Sequence, residues 1–262
     1  MSVYEKLFGR KKLIIGMVHL KPLPGAPGYD GSLETVYAAA EADLKALEAG
    51  GVSAFIVENF GDIPYSDRNE LITVTSFTAI AARLRRLTKL PMGVNIQFND
   101  TESEWAAAYA ADADFIRVEN FAETRVGPNG VFPPSGPSLM RLKQRYPGDI
   151  ALLCDVGVKH TFAAVEQPLD FTIEAVIEGG GDAVITTGMV TGVSPSLEEV
   201  RTAKKYAGTF PVIVGSGVKA ATAKDYLSIA DGAIVGSSFK KHGNVMNVID
   251  SRRVAEFMKA IA

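Results

Sequence analysis

The residues best suited to chemistry stand at the ends of short apolar runs. Gly215-Ser216-Gly217 closes VIVGSG (212–217), and Gly236-Ser237-Ser238 closes AIVGSS (233–238). Glycine lets backbone N–H groups come close to an anion, and a following helix N-terminus adds partial positive charge. Gly215, Ser216, Gly217, Gly236 and Ser237 are therefore candidate phosphate contacts. The competing reading is that the glycines only make tight turns.

Ionisable residues follow the same rule. In FIRVEN (115–120), Ile116 and Val118 alternate with Arg117 and Glu119. If the apolar pair packs on helices, the charged pair must face the opposite way. AFIVEN (54–59) ends alike and places Glu58 as Glu119 is placed; Asp155 ends IALLCD (150–155), and His19 follows LIIGMV (13–18). An inward arginine needs carboxylates beside it, because an unpaired buried charge is very costly. Glu58, Glu119 and Asp155 are available. In MGVNIQF (92–98), Val94, Ile96 and Phe98 share one face, which leaves Asn95, Gln97 and Asn99 on the other.

Such a cluster reads either as a structural polar plug or as a substrate site. Buried ionisable groups acquire shifted pKa values suited to proton transfer. On the second reading Asp155 and Glu119 are candidate bases, and Glu58, His19 and Lys159 are further catalytic candidates. Asn95, Gln97, Arg117, Asn120, His160 and Thr187 are candidate substrate contacts. Lys159 and His160 follow the fifth run, where they would act as an acid or touch phosphate; alternatively Lys159 is a solvated surface lysine. His19, His160 and His242 each follow a run, which leaves a divalent metal open. No close spacing such as His-x-His supports one, and no motif for an organic cofactor appears. Cys154 sits among leucines as an ordinary buried thiol.

What would hold these residues together is a repeated element. Eight runs, 13–18, 54–59, 92–98, 115–120, 150–155, 183–188, 212–217 and 233–238, alternate with amphipathic stretches such as 32–49 and 70–88. Apolar residues in those stretches recur every three or four positions, the period of a helix. Eight strands each followed by a helix predict a (β/α)8 TIM barrel filling residues 1–262 as one domain. The lead-ins VSAFIVEN (52–59), ADFIRVEN (113–120), GDAVITTG (181–188) and DGAIVGSS (231–238) recur on the even-numbered strands, as alternating strand layers would require. An open doubly wound sheet shares the alternation but usually has fewer strands and an edge. Connections after strands are long, and 20–31 and 126–137, rich in Pro and Gly, are the lid candidates.

Composition narrows the function classes. The chain is 47% hydrophobic and 22% charged, which supports a large core. A net charge of -3 offers no basic excess for nucleic acid. The single cysteine excludes an internal disulfide and suits a reducing compartment. No apolar run reaches the ~18 residues of a membrane span, and residues 1–12 lack the apolar stretch of a secretory signal. The expectation is a cytoplasmic protein, with a homo-oligomer open.

The ordered segments IIGMVHLKPLPGAPGYDG (14–31), VENFGDIP (57–64), GVNIQFND (93–100), FIRVENF (115–121), DVGVKH (155–160), TTGMVTG (186–192), GSGV (215–218) and GSSFKKHGNVMNVIDSRRV (236–254) make the chain resemble the BtpA/SgcQ family along nearly its whole length. The resemblance implies a place among phosphate-binding barrels of the ribulose-phosphate-binding type. One group of that family is linked to photosystem I biogenesis, and another occurs with sugar-utilisation genes. The combined expectation is an enzyme acting on a phosphorylated sugar or nucleoside-like metabolite by carboxylate acid–base chemistry, as a lyase, isomerase or glycosyl-bond hydrolase. The alternative is a non-catalytic assembly factor that keeps a ligand-binding barrel.

Overall fold

The computed structural model describes residues 3–9, 12–188 and 192–262. Its strands are β1 (Leu13–His19), β2 (Ala54–Glu58), β3 (Met92–Asn95), β4 (Phe115–Val118), β5 (Arg125–Gly127), β6 (Gly130–Phe132), β7 (Ala151–Val156), β8 (Phe162–Ala163), β9 (Ala183–Thr186), β10 (Val212–Val214) and β11 (Gly232–Val235). Eight of them close a barrel in the order β1-β11-β10-β9-β7-β4-β3-β2. Every pair in it is parallel, including β1 with β11, where Leu13 lies opposite Gly232. The eight apolar runs are these eight strands. The molecule is a (β/α)8 barrel.

The strands are apolar on both faces because both are covered. One set, including Leu13, Ile15, Ile56, Phe115, Leu153, Ile185, Ile213 and Ile234, fills the interior. The alternate set, including Ile14, Val57, Ile116, Val118 and Leu152, packs with helix residues such as Leu47, Phe77 and Trp105. The helices are α1 (Val3–Phe8), α2 (Leu33–Gly50), α3 (Leu71–Arg85), α4 (Thr101–Ala110), α5 (Gly136–Arg145), α6 (Leu169–Glu178), α7 (Leu197–Ala207), α8 (Ala223–Leu227) and α9 (Ser251–Ile261). Local sequence sets their ends. The Ser32 hydroxyl accepts from Thr35 N–H at the start of α2, and Gly51 ends it with φ 89°. Ser196 and Glu199 form a reciprocal capping box on α7. The short α1 closes the bottom of the barrel, with Tyr4 buried in the interior cluster and Phe8 edge-on to Phe115 at 5.5 Å. Among the described residues, no helix is long and apolar enough to cross a membrane.

Three features depart from the sequence reading. First, β3 ends at Asn95, and residues 97–99 turn. Phe98 therefore leaves the helix-facing row and packs with Phe132 and Val158 at the mouth. Second, the loops after β4 and β7 build a small antiparallel sheet, β6-β5-β8. Its 126–132 portion is the expected lid. The 20–31 loop instead docks on the loop after β2 and on α3: Leu23 N–H donates to Asp62 at 2.7 Å and the Thr73 hydroxyl of α3 donates to Pro24 O. Third, the β3–β4 ladder stops at Val94–Ile116. Beyond it Glu104 of α4 inserts its carboxyl, accepting from Ile96 N–H and from the Asn95 amide, both at 3.3 Å.

Candidate active site at the C-terminal mouth

Arg117 is the largest polar group inside the barrel, and it enters because Ile116 and Val118 occupy the helix-facing side. Its guanidinium grips Asp155 with two hydrogen bonds, from Nε at 2.8 Å and from a terminal nitrogen at 3.0 Å. A buried bidentate pair of this kind is strong and geometrically rigid. Asp155 is thus not a free base, since both its oxygens are engaged with a permanent cation. Its role is to hold Arg117.

Glu119 and Glu58 are different. Both are buried near the guanidinium. Glu58 accepts from the Gln97 amide at 2.8 Å, and Glu119 accepts from Asn99 N–H at 3.1 Å. Burial raises the Glu119 pKa to about 8; Arg117 pulls it down, while the Glu58 and Asp155 charges push it further up. That value suits a group that takes and returns a proton near neutrality. Lys159 lies beside the same carboxylates. Burial lowers its pKa, Arg117 lowers it further, and Glu58, Asp155 and Glu119 oppose the shift. His19 stacks on Phe60 with ring centroids 4.4 Å apart. Burial keeps its imidazole neutral, with Lys240 and Lys159 adding to the effect.

Two cavities open from this cluster. One, small, is walled by the glycine-rich ends of β10 and β11 through Gly215, Ser216, Gly217, Gly236 and Ser237, and by His19, Glu58, Arg117 and Lys159. The other, of about 350 Å³, lies under the lid and is lined by Ile63, Tyr65, Phe98 and Phe132, with Glu119, Gln97 and His160. Phe60 and Lys159 line both.

At the glycine end, the N–H groups of Ser216, Gly217, Gly236 and Ser237 donate to no backbone acceptor among the described residues. Gly215 does not belong with them, because its N–H is taken by Thr186 O at 2.8 Å. The Ser216 hydroxyl is committed as well, donating to Val193 O and accepting from Gly188 N–H. Gly217 has φ 74°, and a Cβ there would lie 2.1 Å from Ser194 N. Packing alone therefore requires glycine at this position, whatever binds.

Several candidate substrate contacts prove to be occupied. The Asn95 amide nitrogen donates to Glu104 and to Arg117 O, bridging the gap between β3 and β4. Asn120 donates to Phe132 O and Pro133 O, which pins the lid. The Thr187 hydroxyl donates to Gly157 O at 3.4 Å. His160, at φ 62°, is exposed at the rim of the larger cavity. Among the described residues, no group of three or more His, Cys, Asp and Glu side chains is gathered to hold a metal ion. The three histidines follow different strands and do not converge.

Sequence reasoning missed Phe60, Asn59 and the lid anchor. Asn59 donates to Asp62 and accepts from Gln97 N–H, so it locks the loops after β2 and β3 together. Arg125 pairs with Glu123 at 2.7 Å and donates to the Thr161 hydroxyl at 2.6 Å, and Glu123 accepts from Gly157 N–H. A signal for the first two was present. Val57-Glu58-Asn59-Phe60 repeats as Val118-Glu119-Asn120-Phe121. In both copies the glutamate faces the mouth and the asparagine ties down a loop.

Solved structures with this fold are numerous and distant in sequence. The chain superposes on (S)-3-O-geranylgeranylglyceryl phosphate synthase from Thermoplasma acidophilum, in complex with sn-glycerol-1-phosphate, with a TM-score of 0.63 at 15% identity, covering 100% of this chain and 98% of that one. Thiamine phosphate pyrophosphorylase from Pyrococcus furiosus gives 0.58 at 17% identity, covering 96% of each. These likenesses establish the barrel. Sequence relatives are much nearer. An uncharacterized protein of Pyrococcus horikoshii is 38% identical over 252 residues, 95% of this chain and 96% of that protein. Photosystem I biogenesis protein BtpA of a Synechocystis strain is 37% identical over 251 residues, 95% and 88% of the two chains. The model of the BtpA family matches residues 10–262, which span every barrel strand and every residue of the mouth described above, and the chain belongs to that family.

Proposed function

We propose that the protein is an enzyme that converts a phosphorylated small molecule, a sugar phosphate or nucleoside-like metabolite, by proton transfer at the barrel mouth. The observation that carries the reading is the adjacency of two unlike surfaces. Among the described residues the N–H groups of Gly217, Gly236 and Ser237 donate to no backbone acceptor, and these three residues line the same small cavity as Arg117, Lys159 and Glu58. An anion there would meet backbone dipoles and two cations, as phosphate does in barrels that bind it after their seventh and eighth strands. Glu119, with a pKa near neutrality, is the proton-transfer group, and His19 stays neutral as a hydrogen-bonding partner. Lyase, isomerase and glycosyl-bond hydrolase chemistry all suit this set. The neighbours named for phosphorylated ligands support the phosphate assignment by analogy of fold.

The relative named for photosystem I biogenesis favours a second reading, an assembly factor whose barrel senses a ligand. A thermal-shift screen against phosphorylated metabolites addresses both, because a ligand at one hundred times its Kd stabilises by about 2.7 kcal/mol. Gly236→Ala is the informative variant. Its φ of −104° is not left-handed, but its ψ of −90° lies outside the regions alanine favours, and the new methyl would meet His19 Cε1 at 3.3 Å, Met17 Cγ at 3.7 Å and His19 Nε2 at 3.8 Å, so a modest loss of ligand-free stability accompanies the change. A smaller rise in Tm on adding phosphate esters, each protein measured against its own ligand-free Tm, is expected. Equal stabilisation of both proteins would remove the phosphate site. Gly217 substitutions cannot make this distinction, since they strain the fold directly.

A further inference from the structure

Lys159 is an unusual lysine. It is half-buried, and among the described residues its ammonium nitrogen makes no hydrogen bond and no ion pair within 4 Å. Lysines that enter protein interiors generally do so to meet a carboxylate, as Lys240 meets Asp43 in this molecule. Lys159 instead stands at the junction of the two cavities, with the small recess of the glycine-rich strand ends on one side and an apolar, aromatic chamber on the other. Its backbone is fixed by its neighbours. Val158 is buried against Phe98 and Phe132, and the Thr161 hydroxyl donates to Val158 O at 2.7 Å while Arg125 holds Thr161.

We propose that Lys159 is a covalent nucleophile that forms an imine with a phosphorylated aldehyde or ketone, whose phosphate occupies the β10–β11 recess and whose apolar or planar body lies under the lid. This deepens the function proposed above and rests on it for the phosphate end. The chemistry requires an amine that is neutral at working pH, and burial together with the neighbouring Arg117 favours that state. The Nζ lone pair attacks the carbonyl carbon, and the C=O π pair moves to oxygen. Protons lost by nitrogen and supplied by the Glu119 carboxyl convert that oxygen to water, which leaves as the C=N bond forms. The product is an iminium on Lys159, one water, and a Glu119 carboxylate. That carboxylate then stands in the apolar chamber as a base for a C–H or O–H of the bound substrate, with the iminium accepting the electron pair. Hydrolysis by water restores the amine. Nothing is oxidised or reduced.

The test uses pyridoxal 5′-phosphate as probe, because it carries a phosphate, an aldehyde and a planar ring. The wild-type protein is incubated with it, reduced with sodium borohydride and mapped by peptide mass. Labelling of Lys159 to near one equivalent is expected, on the order of tenfold faster than at exposed lysines such as Lys219. Glu119→Gln should slow that labelling on the order of tenfold, and Lys159→Arg should abolish it without affecting the exposed sites. Unphosphorylated pyridoxal is the second arm. If it labels Lys159 as fast as the phosphate ester does, the imine stands and the phosphate assignment fails. If phosphate esters stabilise the protein yet Lys159 is labelled no faster than surface lysines, the phosphate site stands and the imine proposal is overturned.

Discussion

Arg117 and Glu119, two residues apart on one strand, show how position in the barrel decides what an ionisable group can do. Arg117 is structural in its first obligation. Arg117→Met would leave Asp155 buried without its cation, at a cost of about 3–5 kcal/mol. The expected outcome is a markedly lower Tm, and Arg117→Met combined with Asp155→Asn should cost less than the sum of the two single changes, a comparison chemical denaturation can make. Glu119 is the titrating member. Its folded pKa of about 8 lies above the 4.5 of a free glutamate, so the folded state holds a proton that the unfolded state has released. The associated stabilisation is complete below about 4.5 and is lost as pH rises through about 8. Tm should therefore fall between pH 5 and pH 9, and Glu119→Gln should shrink that fall by roughly 2–4 °C for each kcal/mol of the linkage. An identical fall in wild type and variant would show that Glu119 is already ionised in the folded protein.

The elements of the barrel were legible in the sequence, and those of the mouth were only partly so. Parallel strands covered on both faces must be continuously apolar, and eight such runs are hard to mistake. The rule of alternation correctly turned Arg117 inward. It failed at Phe98, because alternation holds only while a strand lasts, and β3 stops three residues earlier. It was silent on Asn95 and Asn120, whose amides serve backbone groups that only the folded loops bring near. The lid sheet was equally hidden: β5, β6 and β8 have three, three and two residues, too short for a periodic signal. Strand pairing holds them together, and one side chain, Arg125, ties the two loops. Arg125→Ala would remove the link between Glu123 and Thr161 and free the loops after β4 and β7 to open separately. Limited proteolysis within 122–132 should accelerate on the order of tenfold, the equivalent of about 1.4 kcal/mol of local stability, while the barrel's own Tm changes little. Unaltered cleavage would mean that the strand pairing alone holds the lid.

At the scale of the whole molecule, the two ends of the barrel divide the work. The bottom is shut by α1, with Tyr4 and Phe8 filling the space beneath the interior layer. Polar groups are gathered at the top, where the strand ends and the lid meet. The wall between the ends is not uniform. A barrel hooped by backbone hydrogen bonds all the way round has no preferred place to part. Here the ladders between β3 and β4 and between β10 and β11 are each only two residue pairs long, and at the β3–β4 joint a carboxyl group stands in for the neighbouring strand. Burial and the nearby Glu119 charge hold the Glu104 pKa well above the ordinary carboxylate range. The dowel in that joint is thus an acid that keeps its proton, and one side-chain rotation withdraws it while leaving every hoop below intact. Amide exchange at Ile96 would register breathing of the wall at this joint, and alkali, by drawing off the proton, would loosen the joint before it unfolded the barrel.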